Sequence, residues 1–303
     1  MLWRGGRRSD NIEDRRGEGY SPGFGGGGRL PIGGKGGIGG LGLIVLVLIG
    51  LFFGIDPMAL LGGGGSGPSS YVPQQEGTQA PGSSTQGPMT HDDAKEFVSV
   101  VVADTEDTWT EIFRQSGKTY REPTLVMFSG AVRSGCGVAQ SASGPFYCPI
   151  DQKVYLDTSF FDELSRRFGA PGDFAQAYVI AHEIGHHVQN QLGILPQVEA
   201  FQQQASRAEG NQAQVMVELQ ADCFAGIWAH HADRSRGLLE KGDIEEGLNA
   251  AAAIGDDRLQ RQSQGYVVPD AFTHGSSAQR VAWFKRGLQS GDPAVCDTFG
   301  ASR

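Results

Sequence analysis

Apolar residues recur at helical spacing along most of the chain after residue 90, which predicts a body built mainly of helices. Thr90 and Ser276 are predicted to cap two of these helices. Asp173 is predicted to cap a third, with Gln176 as its box partner, and Gly193 to end it. The predicted helices cover residues 91–116, 159–168, 174–192, 211–230, 244–254 and 278–289.

Between residues 124 and 157 the pattern changes to short runs of β-branched and aromatic residues. These runs lie at 125–128, 145–148 and 153–156, separated by Gly, Ser and Pro. They predict a small sheet of two to four strands. The order of one helix, several strands and then several helices indicates an α+β body with packed helices beside the sheet.

The first ninety residues are too rich in glycine to predict a packed core. Residues 1–36 are expected to be a disordered Gly/Arg-rich tail, 37–57 a transmembrane helix, 58–89 a flexible linker and 90–303 the folded domain. A cleaved signal peptide is the alternative interpretation of the apolar run.

Basic residues precede the apolar run, and none follows it until Lys95, which predicts a cytoplasmic N-terminus. The expected location is therefore the cell membrane, with a single span through the bilayer and an extracytoplasmic body. The net charge of −9 argues against a nucleic-acid groove, so no nucleic-acid partner is expected. RNA binding by the Gly/Arg tail is a weaker alternative, because acidic residues dilute its charge.

The four cysteines suit an oxidising compartment and permit three pairings if all are bridged. Cys136 and Cys148 flank a turn rich in Gly and Ser, so a bridge between them is the simplest closure. The second predicted pair is then Cys223 with Cys296.

The run His182-Glu183-Ile184-Gly185-His186 lies within a predicted helix. Its two histidines are one turn apart, so both rings can reach one metal ion. Glu183 lies about 100° round the helix and can reach a water on the open side of that ion, which suits a general base. The alternative is a surface helix with two exposed histidines.

A catalytic zinc site takes a third protein ligand and keeps one position for water. Gln189 and Leu192 stand where the extended HExxHxxGxxH motif requires Gly and His, so that class is excluded. Glu218 is the predicted third ligand, and Asp222, one turn later, is expected to accept the N–H of His182. A solvated acidic face is the alternative, but apolar neighbours indicate a mostly buried helix.

Four further histidines are interpreted by their positions. His274, in a loop just before Ser276, is the candidate donor for the developing oxyanion, and Arg280 is expected to anchor this loop through an acid. An ordinary surface loop is the alternative for His274. His187, His230 and His231 are interpreted as structural.

The HEIGHH and ELQAD motifs resemble those of the gluzincin metallopeptidases, and several further segments resemble the putative neutral zinc metallopeptidase family of bacteria. Those segments are Thr124–Val126, Gly144–Pro149, Val154–Asp157, His182–Gln189, Glu218–Trp228 and Thr273–Ser277. The resemblance implies a zincin-like fold, a bound Zn²⁺ and hydrolysis of a peptide or protein substrate. The sequence thus predicts a membrane-anchored zinc metallopeptidase, with an inactive zinc-binding envelope adaptor or scaffold as the alternative.

Overall fold

The computed structural model describes residues 1–18 and 90–300 of the 303-residue chain. Within these ranges the α-helices are α1 (His91–Gln115), α2 (Ser159–Arg166), α3 (Asp173–Gln191), α4 (Ile194–Gln202), α5 (Arg207–Arg234), α6 (Asp243–Ala253), α7 (Asp256–Gln264) and α8 (Ser277–Ser290). The strands are β1 (Ile12–Asp14), β2 (Thr124–Phe128), β3 (Ala131–Ser134), β4 (Gly137–Gln140), β5 (Phe146–Cys148) and β6 (Lys153–Asp157). The predicted α+β class, with packed helices and small sheets, fits this order.

The main sheet has the strand order β1-β2-β6-β5. Strands β1, β2 and β6 run parallel, whereas β5 runs antiparallel to β6. Because side chains alternate across a strand, Leu125 and Met127 enter the core shared with the helices, while Val126 and Phe128 enter a smaller core on the other face. Strands β3 and β4 form a separate hairpin over that smaller core.

The N-terminal residues are part of the folded body, which corrects the expectation of a disordered tail for residues 1–18. Trp3 is 1% exposed and packs edge-on against Phe97 of α1. Strand β1 extends the sheet, with Ile12 opposite Leu125. Strand β1 was not predicted because it has three residues and only one apolar side chain, too few to show a strand pattern in the sequence. It joins the sheet through backbone hydrogen bonds, which do not depend on such a pattern.

The predicted transmembrane helix at residues 37–57 and the linker at 58–89 lie outside the described residues. In the described part of the chain, no helix has both the length and the apolar character needed to cross a membrane. A single crossing would separate the N-terminus from the body by a hydrocarbon core about 30 Å thick, whereas residues 12–14 pair directly with β2. The predicted single-pass topology, with a cytoplasmic N-terminus and an extracytoplasmic body, is therefore wrong.

Helix α5 is central to the helical layer, with α3 on one side and α8 on another. Gly226 and Gly287 allow α5 and α8 to approach closely, because a Cβ on Gly287 would lie 2.0 Å from the Cys223 carbonyl oxygen. A disulfide joins Cys223 to Cys296 in the 3₁₀ turn after α8. The other predicted disulfide, Cys136–Cys148, is also present.

The start of α3 differs from the prediction. Gly172, not Asp173, is the N-cap residue, and the N-cap residue supplies no side-chain hydrogen bond to the helix. The carboxylate of Asp173 instead accepts hydrogen bonds from the Met1 amino group (2.8 Å) and the Trp3 indole (3.1 Å). The predicted capping box is therefore wrong, because the Asp173 carboxylate that should have capped the helix binds residues more than 160 positions away in the sequence. The predicted boxes at Thr90 and Ser276 are both present.

Candidate active site

Helices α3 and α5 cross closely at Gly185, where an added Cβ would lie 3.1 Å from the Ala221 carbonyl oxygen. This approach carries the face of α3 that bears His182 and His186 against the face of α5 that bears Glu218. The glycine inside the HEIGH run is therefore what lets side chains from two helices meet.

His182, His186 and Glu218 converge on one point. Nε2 of His182 lies 3.1 Å from Oε2 of Glu218, and Nε2 of His186 lies 3.6 Å from the same oxygen. One donor atom from each residue lies within 4.8 Å of the other two. In a tetrahedral zinc site with bonds of about 2.0–2.2 Å, ligand atoms lie about 3.3–3.6 Å apart. Two imidazoles and a carboxylate at these separations fit a zinc ion.

The electrostatics of this cluster favour a cation. Burial opposes charge on His182, but the carboxylates of Asp222 and Glu218 together outweigh it and raise the pKa of His182 to about 9. Burial also opposes charge on Glu218, yet His186 and His182 hold the pKa of its carboxyl well below the usual range. The buried carboxylates thus require positive charge beside them, which a divalent metal supplies.

Asp222, the predicted partner of His182, is fully buried between three groups. Its Oδ1 lies 2.9 Å from Nδ1 of His182, and the Tyr178 hydroxyl donates to the same oxygen. Arg280 binds both carboxylate oxygens at 2.9 Å and is 2% exposed. Burial opposes the charge on Asp222, but Arg280 and His182 keep the pKa of its carboxyl low. Arg280 was expected to pair with an acid, and that acid is Asp222.

Glu183 lies with His182 and His186 on the wall of a cavity of about 310 Å³. The wall is completed by apolar side chains from β5, α2 and α4, including Phe146, Phe160 and Leu195. Glu183 is 9% exposed. The cavity wall therefore combines the three donor residues, a further carboxylate and an apolar surface for a ligand.

His274 also lines this cavity, and its loop is held by a residue that the sequence analysis missed. Oδ2 of Asp256 accepts backbone N–H groups from Thr273, His274 and Gly275 at 2.6–3.0 Å. Oδ1 of Asp256 lies 3.3 Å from Nδ1 of His274. Burial opposes charge on His274, but Asp256, with a smaller effect from Glu218, raises its pKa. The loop thus presents to the cavity a ring whose charged form is favoured by Asp256.

Three further histidines, His187, His230 and His231, contact groups away from the cluster. His187 is buried between the Tyr147 hydroxyl and the Arg121 carbonyl oxygen, and burial lowers its pKa to about 4. His230 and His231 bond carbonyl oxygens at the end of α8. These contacts agree with their structural interpretation.

An HExxH helix completed by an acid from a second helix is the class of site found in zinc metallopeptidases. A model of the family described as "Putative neutral zinc metallopeptidase" matches residues 1–299. The chain belongs to this family, as its motifs predicted.

Two relatives illustrate the similarity. "Uncharacterized protein YpfJ" of Escherichia coli (strain K12) is 54% identical over 303 residues, which is 100% of each chain. "Uncharacterized protein Rv2575" of Mycobacterium tuberculosis (strain H37Rv) is 46% identical over 233 residues, which is 74% of this chain and 78% of the relative. No solved structure matches the chain.

Proposed function

We propose that this protein is a zinc-dependent peptidase that hydrolyses peptide bonds in peptide or protein substrates. The observation that carries the proposal is the convergence of His182, His186 and Glu218 on one point beside Glu183, in a cavity large enough for part of a polypeptide. Zinc held by the three side chains supplies Lewis-acid activation of a water molecule and of the scissile carbonyl.

The side chains around the cluster have separate roles. Asp222 accepts the Nδ1 proton of His182, which leaves the Nε2 lone pair directed at Glu218 and the metal position. Glu183 takes the proton from the attacking water and delivers it to the leaving amine. The ring of His274, held by Asp256 at Nδ1, donates a hydrogen bond to the oxyanion that develops on the scissile carbonyl.

The first experiment replaces Glu183 with Gln in the full chain. Removal of the general base should lower peptide turnover at least about a hundredfold and leave one zinc per chain, because Gln occupies the same space and is not a ligand. Turnover is followed by mass spectrometry of a peptide library, and zinc by elemental analysis. Glu245→Gln, an exposed position on α6, is the matched control.

The outcomes separate the two functions considered. Undiminished cleavage by the Glu183→Gln protein would refute the mechanism. Stoichiometric zinc in the wild-type protein without cleavage of any library member would favour the zinc-binding adaptor. A second variant, Glu218→Ala, should lose zinc, because it leaves two histidines for a site that needs three protein ligands.

A further inference from the structure

The second histidine of the cluster has its own hydrogen-bonding partner on the same helix. Nδ1 of His186 lies 2.8 Å from Oε1 of Gln189, one turn further along α3. Gln189 is completely buried. An amide at this position could face the ring with either its oxygen or its nitrogen, so the other contacts of Gln189 decide which one does.

Those contacts fix the amide in one orientation. Nε2 of Gln189 donates to the Val217 carbonyl oxygen at 2.7 Å and to Oε1 of Gln220 at 3.0 Å. Both partners are acceptors, so the nitrogen must face them and the oxygen must face His186. A ring nitrogen beside an acceptor carries the hydrogen, which leaves the lone pair on Nε2, 3.6 Å from Oε2 of Glu218.

The orientation of the Gln220 amide is fixed by a contact of its nitrogen. Its Nε2 donates to the Cys296 carbonyl oxygen at 2.9 Å, and it is 6% exposed. Because that nitrogen is committed to Cys296, the Gln220 oxygen is the end that faces Gln189. Cys296 is joined covalently to Cys223 on α5. A continuous chain of two amides therefore connects the disulfide-anchored C-terminal turn to His186.

We infer that Gln189 and Gln220 are positioning residues for the metal: they form an amide relay that holds His186 in its Nδ1–H tautomer, with Nε2 directed at the site. The inference rests on the proposed function, because it assumes zinc at His182, His186 and Glu218. The two histidines then have unlike partners, since His182 has the carboxylate of Asp222 and His186 has a neutral amide. A neutral partner adds no negative charge, so the ion keeps more of its positive charge for activating water.

The test measures zinc affinity of the full chain by competition with a chromogenic chelator, starting with the wild type. Loss of an outer partner of a ligating histidine typically weakens metal binding 10–100-fold. Gln189→Met, which removes the acceptor at similar volume, should weaken zinc binding about tenfold or more. Gln220→Met should weaken it less, because Gln189 keeps its bond to Val217. Gln191→Met, on the same helix with contacts to Arg121, is the matched control and should bind as the wild type does.

The double variant is decisive, because Gln220 is inferred to act only through Gln189. Adding Gln220→Met to Gln189→Met should weaken zinc binding no further than Gln189→Met alone does. If the two residues supported the site independently, the fold-losses of the two single variants would instead multiply in the double variant. The cobalt-loaded proteins give a second readout, since a turned His186 ring should alter the visible absorption bands of tetrahedral Co²⁺ in both single variants. Affinities equal to wild type, or losses that multiply, would overturn the relay.

Failure of the proposed function can be told apart from failure of the relay by the wild-type protein. If the wild type binds no stoichiometric zinc, the metal site itself is contradicted, whatever the variants show. Thermal unfolding of the zinc-free variants shows which of them fold. If Gln189→Met does not fold, Gln220→Met decides alone, because it keeps Gln189 but removes an acceptor that helps to orient the Gln189 amide toward His186. Weaker zinc binding with an altered cobalt spectrum then supports the relay, and wild-type values in either measurement overturn it.

Discussion

Replacing Arg280 with Met should be among the most destabilising single changes in the zinc-free protein. Arg280 donates to both oxygens of Asp222 at 2.9 Å, to the Ile254 carbonyl oxygen at 3.2 Å and to the Tyr178 hydroxyl at 3.2 Å. Asp222 is fully buried, so the variant leaves a core carboxylate without its guanidinium partner, with His182 and Tyr178 still beside it.

Breaking a buried ion pair from one side typically costs about 3–5 kcal/mol. The remaining bonds from His182 and Tyr178 to Asp222 place the expected loss at the lower end, about 3 kcal/mol. Domains have about 5–15 kcal/mol of stability in total, so the variant should fold but unfold at a clearly lower denaturant concentration. Urea unfolding of the full chain with excess chelator, followed by circular dichroism, measures the change.

Two companion variants make the interpretation specific. Arg286→Met is the matched control, because Arg286 is on the same helix, is exposed and stacks on Trp283, and it should cost less than about 0.5 kcal/mol. Adding Asp222→Asn to Arg280→Met removes the uncompensated charge and should restore part of the loss. A cost below about 1 kcal/mol for Arg280→Met, or a double variant less stable than the single one, would refute the reasoning.

Three further perturbations test other parts of the structure. Trp3→Ala should lower the free energy of unfolding by about 3–5 kcal/mol, whereas Leu2→Ala, at an exposed position, should leave it nearly unchanged. Equal losses for the two variants in urea unfolding would contradict the packing of the N-terminal residues against the body. Replacing Cys223 and Cys296 together by Ser should lower the free energy of unfolding by about 4 kcal/mol, because the unfolded chain is no longer constrained by a bridge across a sequence separation of 73. Urea unfolding with the Cys136–Cys148 disulfide intact measures this loss. Asp256→Asn should slow peptide turnover more than it weakens zinc binding, since Asp256 contacts His274 and not the donor atoms. Burial opposes charge on Asp256, but His274 keeps the pKa of its carboxyl low, so its contribution to stability is present above its unfolded pKa of about 3.9 and is lost as pH falls through the lower folded value. The Asp256→Asn protein should therefore lose stability less steeply than the wild type below about pH 4.

The donor residues could be predicted because their spacing is local. Residues four apart on a helix share a face whatever the rest of the fold does, so the pairs His182 with His186 and Glu218 with Asp222 are readable from the chain alone. Their mutual approach needed a further condition, the close crossing at Gly185, which the spacing of the motif does not reveal. Their roles as ligands and partner stay predictions until zinc is measured.

The supporting residues could not be predicted, because their partners are distant in sequence. Asp256 holds a loop 17 to 19 positions away, and Gln189 contacts Gln220 across two helices. A carboxylate or an amide has no periodic signal of its own, since any polar position on a helix looks alike until its neighbour is known. The same limit applies to Asp173, where local capping rules gave the wrong partner.

Helix α3 is held at both ends by elements that the motif does not include. At its start, Asp173 binds the Trp3 indole, and the Phe174 N–H donates to Glu246 of α6. Near its end, the Asn190 side chain donates to the Tyr147 hydroxyl of β5. A site that activates water must keep its donors within about 0.5 Å of the productive geometry, and a helix restrained at both ends meets this requirement better than one fixed only where it binds metal. Met1 and Trp3 therefore restrain the start of α3 through Asp173, and we expect this restraint to limit movement of the donor residues further along the helix.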